Sequence, residues 1–159
     1  QGAVSRAQGK HFEEYIDLSL RYYEQRGEAV VEKTPEPMRP TKDLGNGKFI
    51  AYYEKAAQPD YKGTLKGGRA VVFEAKYTHS AQMEQGRVTR EQAARLDDHL
   101  AAGAMCFVVA GFGSGDVFRV PWDVWRDMKT HFGHKYVTPE ELEAYKVPLG
   151  RNGVLLLLD

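Results

Sequence analysis

A chain of 159 residues, 42% hydrophobic and 28% charged, can close one buried core and is too short for two ordinary domains. Its 22 basic and 22 acidic side chains cancel, so it is not a strongly basic chain, although a polarised surface can hide inside a neutral total. No apolar run approaches the length of a membrane span, no basic leader followed by an apolar stretch opens the chain, and the lone Cys106 excludes an internal disulfide. The expectation is a cytoplasmic protein of one domain, residues 1–159, with no membrane partner.

Phe12, Ile16, Leu20 and Tyr23 recur at spacings of four and three, which predicts a helix over residues 5–26 stopped by Gly27. Residues 29–32 read as a short strand. Pro35, Pro37 and Pro40 then break regular structure and open a polar segment with Gly45 and Gly47. This segment, residues 38–58, is expected to be an extended arm with a strand at 49–53, in which Arg39, Lys42, Lys48 and Lys55 are interspersed with aromatics. Strands at 60–65 and 69–77 are expected to form a hairpin through Gly67-Gly68.

Thr89-Arg90-Glu91-Gln92 has the form of a capping box and opens a helix whose buried face carries Ala93, Leu96 and Leu100, with Gly103 as its stop. Residues 105–112 form a nearly all-apolar strand of the kind covered on both faces, and 117–120 pair with it across a turn at 113–116. Pro121 opens a helix with Val124, Trp125 and Met128 on one side. Thr138-Pro139-Glu140-Glu141 starts another short helix, and 154–158 close as a strand. Helices flanking a mixed sheet give an α/β domain.

The chemistry concentrates in Pro59-Asp60-Tyr61 and, one hairpin later, Phe73-Glu74-Ala75-Lys76. Side chains alternate along a strand, so Glu74 and Lys76 share one face and Phe73 and Ala75 the other. Asp60, on the neighbouring strand, can come beside Glu74. Two carboxylates and an ammonium then converge at one end of an apolar sheet. Such oxygen ligands suit Mg²⁺, which lowers the pKa of a bound water and takes phosphate oxygens as further ligands. A nearby lysine can orient or deprotonate that water. Phosphodiester cleavage is the reaction this cluster fits best.

Blander readings exist for each residue. A Glu-x-Lys pair at a strand end is commonly a solvated ion pair, and an Asp beside glycine turns is commonly turn chemistry. Charged residues embedded in Val71-Val72-Phe73 are harder to dismiss, because burying unpaired charge is costly. His79, His99, His131 and His134 lack zinc spacing, and residues 111–115 lack the other residues of a phosphate loop.

The PD…ExK pattern resembles the signature of the PD-(D/E)xK nuclease superfamily, and further segments resemble the RecU family of Holliday junction resolvases in order along the chain. Gly9-Lys10-His11-Phe12-Glu13 is similar to the family's first-helix opening. Ala29-Val30-Val31 with Lys33 and Pro35 is similar to its first strand and the turn after it. Asp60-Tyr61-Lys62-Gly63 and Phe73-Glu74-Ala75-Lys76 resemble its catalytic strands. Glu91-Gln92 stands where the family has His-Gln, and Cys106-Phe107-Val108-Val109 resembles its next core strand.

This resemblance implies a restriction-endonuclease-like central mixed sheet flanked by helices, with a protruding stalk between early strands at residues 38–58. It implies Asp60 and Glu74 as metal ligands, Lys76 as general base or transition-state stabiliser, Glu13 as an accessory metal carboxylate, and Gln92 as a positioning residue. Glu14 remains an alternative to Glu13, and the capping box alone accounts for Gln92. The implied DNA contacts are Lys33, Arg39, Lys42, Lys48, Lys62 and Arg151. The implied cofactor is Mg²⁺, with Mn²⁺ a possible substitute. The implied partners are a four-way DNA junction, a second copy of the chain and branch-migration machinery. Two alternatives stand beside the resolvase: another nuclease of this fold acting on duplex or flaps, and a non-catalytic DNA-binding protein.

Overall fold

The computed structural model describes the backbone of residues 2–54 and 58–159 and side chains from residue 8 onward; residues 55–57, which include Lys55 and the end of the expected arm, lie outside the described residues. The four-and-three apolar spacing produces α1 (Gly2–Gln25), which buries Phe12, Ile16, Leu20 and Tyr23. Gly27 ends it at φ 69°, the left-handed conformation that glycine takes without strain. There follow β1 (Ala29–Lys33), β2 (Met38–Gly45), β3 (Lys48–Tyr53), β4 (Tyr61–Leu65) and β5 (Ala70–Thr78). Next come β6 (Met83–Glu84), a 3-10 turn (Gln85–Arg87), α2 (Arg90–Ala101), β7 (Met105–Phe112) and β8 (Val117–Pro121). The chain finishes with α3 (Trp122–Arg126), α4 (Met128–Phe132), β9 (Tyr136–Val137) and a 3-10 turn (Glu143–Tyr145).

A five-stranded mixed sheet in the order β1-β4-β5-β7-β8 forms the centre; β5 and β7 run parallel, and the other neighbours are antiparallel. A parallel neighbour requires a crossover, and α2 supplies it. Alternation along β5 divides the core between the two faces. Val71 and Phe73 pack with Phe12, Ile16 and Leu20 of α1, whereas Val72 packs with Leu96 of α2 and Trp122, Trp125 and Met128 of α3 and α4. On the α1 face Tyr61, Phe73 and Phe107 stack across three strands, each neighbouring pair of ring centroids 4.7 Å apart. That ladder sets the register.

Close approach of β1 to β4 demands glycine at position 63, because a Cβ there would lie 2.0 Å from the Val30 carbonyl oxygen. Backbone cannot yield as a flexible side chain can. Gly63→Ala is therefore expected to destabilise the protein by about 3 kcal/mol or more, read as a fall in urea midpoint; an unchanged midpoint would contradict this packing.

Three expectations are corrected at the C-terminal end. The helix after Pro121 is two five-residue pieces, because Asp127 steps out of helical geometry at ψ 34°, yet Trp125 and Met128 are both buried. Thr138 and Glu141 do make reciprocal capping contacts, but the chain turns once and tightens into the 3-10 turn instead of continuing. Residues 154–158 are not a strand. Leu155 and Leu157 are buried as alternation demands, but the segment makes only an isolated bridge to Leu149, with Leu156 N–H donating to the Pro148 carbonyl. Side chains take other backbone groups: Leu155 N–H donates to Ser19 Oγ, Leu158 N–H to Tyr23 Oη, and Arg119 donates to the Leu157 carbonyl.

Candidate active site

Register brings the acidic residues together. Tyr61 pairs with Phe73 in the antiparallel β4–β5 ladder, so the residue before one stands beside the residue after the other, Asp60 beside Glu74. Asp60 is held there by the Ala75 N–H, which donates to its Oδ2 at 3.0 Å. Glu74 is 0% exposed, and among the described residues neither of its carboxyl oxygens has a partner in good hydrogen-bond geometry, Asp60 being the group nearest to supply one. Burial first, and then the adjacent Asp60, push its pKa up to about 9, while Lys76 pulls the other way.

A buried carboxyl without a donor is expensive unless something else satisfies it. The pairing with Asp60 and the open lone pairs fit a hard divalent cation. Among the described residues, however, no three acidic, histidine or cysteine side chains converge as a ligand set. Asp60 and Glu74 are the two carboxylates that stand together, and Mg²⁺ commonly takes one or two carboxylates, keeps waters and takes phosphate oxygens.

Lys76 lies on the Glu74 face of β5, as alternation predicts. Its Nζ donates to Gln92 Oε1 at 3.1 Å. The same oxygen accepts the Thr89 N–H at 3.0 Å, while the Gln92 N–H donates to Thr89 Oγ1. The capping box and the positioning of Lys76 are thus one arrangement: a helix cap fixes the amide that steadies the ammonium.

Glu13 reaches the site from the opposite side, since α1 packs on the Phe73 face. It lines a cavity of about 300 Å³ with Asp60, Lys76 and Arg87. In this structure its carboxylate forms an ion pair with Lys33, at the cavity it shares with Asp60. The pairing also engages Lys33, whose pKa that contact raises. Glu14 faces away toward His11.

A second cavity, of about 390 Å³, is lined by Thr34, Tyr53, Glu54, Gln58, Asp60 and Gln92. Asp60 lies between the two, and the second reaches the foot of the β2–β3 hairpin. Sequence reasoning missed Arg87 and Thr34. Among the described residues Thr34 Oγ1 is buried without a partner, and Thr34 lines the same cavity as Asp60; nothing in the local pattern signals either residue.

The β2–β3 hairpin stands apart from the central sheet, and every residue in its two strands is exposed. Asn46 and Gly47 turn it with positive φ at both positions. Pairing places Arg39, Lys42, Lys48, Ile50 and Tyr52 on one face and Met38, Pro40, Asp43, Phe49, Ala51 and Tyr53 on the other. Arg39 pairs with Glu54. Lys62 is exposed on β4 and donates to Gln58. Arg151 is exposed in the turn that precedes Gly153, whose carbonyl accepts from Tyr15 of α1, and the structure does not bring it to the acidic cluster.

A family model described as RecU, Recombination protein U, matches residues 7–158. The chain belongs to the RecU family. A Holliday junction resolvase RecU of Streptococcus gordonii is 33% identical over 112 residues, 67% of this chain and 56% of that protein. One of Geobacillus kaustophilus is 25% identical over 154 residues, 89% and 76% of the two chains. The chain spans little more than half the length of the streptococcal RecU it matches. A solved structure of the Archaeoglobus fulgidus Holliday junction resolvase Hjc superposes with a TM-score of 0.52 at 12% identity, covering 86% of this chain and 93% of that one. At that identity the likeness speaks for the fold alone, and the mixed sheet flanked by helices is of the restriction-endonuclease-like kind. Within this RecU chain the fold brings the sequence-predicted Asp60, Glu74, Lys76 and Gln92 together at one sheet end, with Glu13 lining the same cavity as Asp60 and Lys76.

Proposed function

We propose that this chain is a divalent-metal-dependent endonuclease, using Mg²⁺ with Mn²⁺ as a substitute, that resolves four-way DNA junctions by paired nicks. The observation that carries the reading is the buried Glu74 carboxyl, which lacks a donor and sits beside Asp60 with Lys76 on the same strand face. The relatives named as Holliday junction resolvases support the choice of substrate.

Asp60 and Glu74 would hold the cation, which when bound supplies an activated water and neutralises charge on the attacked phosphate. Asp60 is kept aimed by the Ala75 N–H. Lys76, steadied by Gln92, orients the attacking water and donates to the phosphate as negative charge builds on it. Glu13, which lines the same cavity and pairs with Lys33, would serve as an accessory carboxylate near the cation. The products expected are a 5′-phosphate and a 3′-hydroxyl.

The hairpin is the element suited to read branched DNA. Its Arg39, Lys42 and Lys48 share a face with Tyr52, and its other face exposes Met38, Phe49 and Tyr53 with no core beneath. Apolar surface of that kind on an isolated element marks a contact site. Two symmetric active sites would suit a substrate of near two-fold symmetry, so the working form is a homodimer, acting in the cytoplasm alongside branch migration.

The deciding experiment incubates a labelled four-way junction, and linear duplex of the same sequence, with the protein in Mg²⁺, in Mn²⁺ or in EDTA. Paired metal-dependent nicking of the junction is expected, reduced at least 1,000-fold in Asp60→Ala. Equal cutting of linear duplex would leave a nuclease that is not a resolvase. Binding without cleavage in either metal would leave a DNA-binding protein.

A further inference from the structure

The 3-10 turn between β6 and α2 carries Arg87 to the cavity that also contains Asp60 and Lys76. An arginine beside two carboxylates ordinarily pairs with one of them. Here the guanidinium lines the same cavity as Glu13 and Asp60, yet among the described residues no carboxylate pairs with it. Its single hydrogen bond is from Nη2 to the Tyr77 carbonyl at 2.9 Å, one residue beyond Lys76 on β5. Arg87 is exposed, so its remaining N–H donors are open to the cavity.

The mount is rigid. Gln85 N–H donates to the Lys135 carbonyl at 2.9 Å, and its side chain donates to the carbonyls of Trp125 and Arg126. Trp125 Nε1 donates back to the Gln85 carbonyl. Met83, paired with Val137, and Val88 anchor the turn from either side in the core. A cation carried on a turn anchored this way, beside an acidic site and bonded through its guanidinium to the Tyr77 carbonyl, is placed to meet an anion that arrives later.

We propose that Arg87 is a phosphate-binding residue of the cleavage site, holding a non-bridging oxygen of the substrate strand over the cavity it shares with Asp60 and Lys76. The assignment rests on the nuclease reading and adds a specific contact to it. A guanidinium offers two parallel donors to a phosphate, which an ammonium cannot, so lysine should substitute only in part.

The test uses the full chain and a labelled four-way junction, once natural and once with neutral methylphosphonates at the mapped cleavage positions, with binding measured in EDTA across NaCl concentrations. Arg87→Ala is expected to bind the natural junction about tenfold more weakly than wild type, with the salt slope reduced by about 0.9 for each bound protomer. It should bind the methylphosphonate junction as wild type does. Arg87→Lys should keep the slope and recover part of the affinity, and it carries the test if the alanine variant folds poorly. Equal slopes and equal sensitivity to methylphosphonate in wild type and Arg87→Ala would overturn the assignment, while metal-dependent cleavage by wild type in parallel keeps the nuclease reading intact. A wild type that neither binds nor cleaves any DNA would overturn both.

Discussion

Glu74→Gln is expected to abolish cleavage and, in EDTA, to make the protein more stable than wild type. The two effects share one cause. The fold buries the Glu74 carboxyl with no donor for either oxygen and sets Asp60 against it. In the absence of metal the protein must either hold a proton on Glu74 or bury an unpaired charge. Glutamine has nearly the same shape and no charge, so it removes this conflict while also removing the ligand. At pH 8 the expected gain is on the order of 3 kcal/mol, or about 5–10 °C in thermal midpoint for a chain of this size. Added Mg²⁺ or Mn²⁺ should raise the wild-type midpoint in proportion to ligand occupancy and leave the variant unmoved. A Glu74→Gln protein that melts below wild type in EDTA would show that the carboxyl is satisfied in some other way.

The pH dependence follows from the direction of the shift. Glu74 titrates at an ordinary 4.5 when unfolded and at about 9 when folded, so folding takes up a proton between these values. The contribution of this group to metal-free stability is fully present below about pH 4.5 and is lost as pH rises through about 9. Wild type in EDTA should lose stability across that window relative to Glu74→Gln. Metal binding must release the same proton, so metal affinity should rise up to about tenfold per pH unit until it levels near pH 9. Calorimetry in two buffers of different ionisation enthalpy would count that proton directly.

Much of this site was legible in the alternation of a single strand. Val71-Val72-Phe73-Glu74-Ala75-Lys76 assigns faces by parity, and the structure keeps every assignment: Phe73 against α1, Val72 on the α2 side with Glu74 and Lys76 following it. The link between Asp60 and Glu74 depended on register, and the Tyr61–Phe73–Phe107 stack that accompanies this register runs across three strands and has no local signature. Glu13 shows the same limit from the other side. Helical periodicity gave its phase on α1 but could not say which sheet face α1 would cover, nor that Lys33 would claim its carboxylate. The tail at 154–158 had the burial pattern of a strand without being one, because it meets residues 148–150 through an isolated bridge and otherwise bonds to Ser19 and Tyr23, over a hundred residues earlier. Asn46-Gly47, by contrast, was a strong local hairpin signal. Reading it would have paired residues 38–45 with 48–53 directly.

Excising the hairpin is expected to separate junction selectivity from nuclease chemistry. The geometry permits the cut: Glu54 N–H donates to the Pro37 carbonyl at 2.9 Å, so the two ends already meet, and a Gly-Gly link between Met38 and Tyr53 can replace residues 39–52. No residue of either strand is buried, and the central sheet pairs without them. The midpoint of the shortened protein should therefore stay within about 3 °C of wild type. Affinity for the junction, however, loses three cations and the exposed aromatics together. Each phosphate contact contributes about 0.9 to the salt slope, and stacking on an aromatic is worth about 1–3 kcal/mol per base. The expected loss is on the order of 3 kcal/mol, a fall of about 100-fold in junction binding at fixed salt, with a shallower salt slope. Cutting of linear duplex in Mn²⁺ should persist, because Asp60, Glu74, Lys76 and Gln92 are held by β4, β5 and α2 and not by the hairpin. A shortened protein that still prefers the junction by the wild-type margin would move recognition to the body of the domain, and Arg87 at the cleavage cavity and the exposed Lys62 of β4 would then be the first places to look.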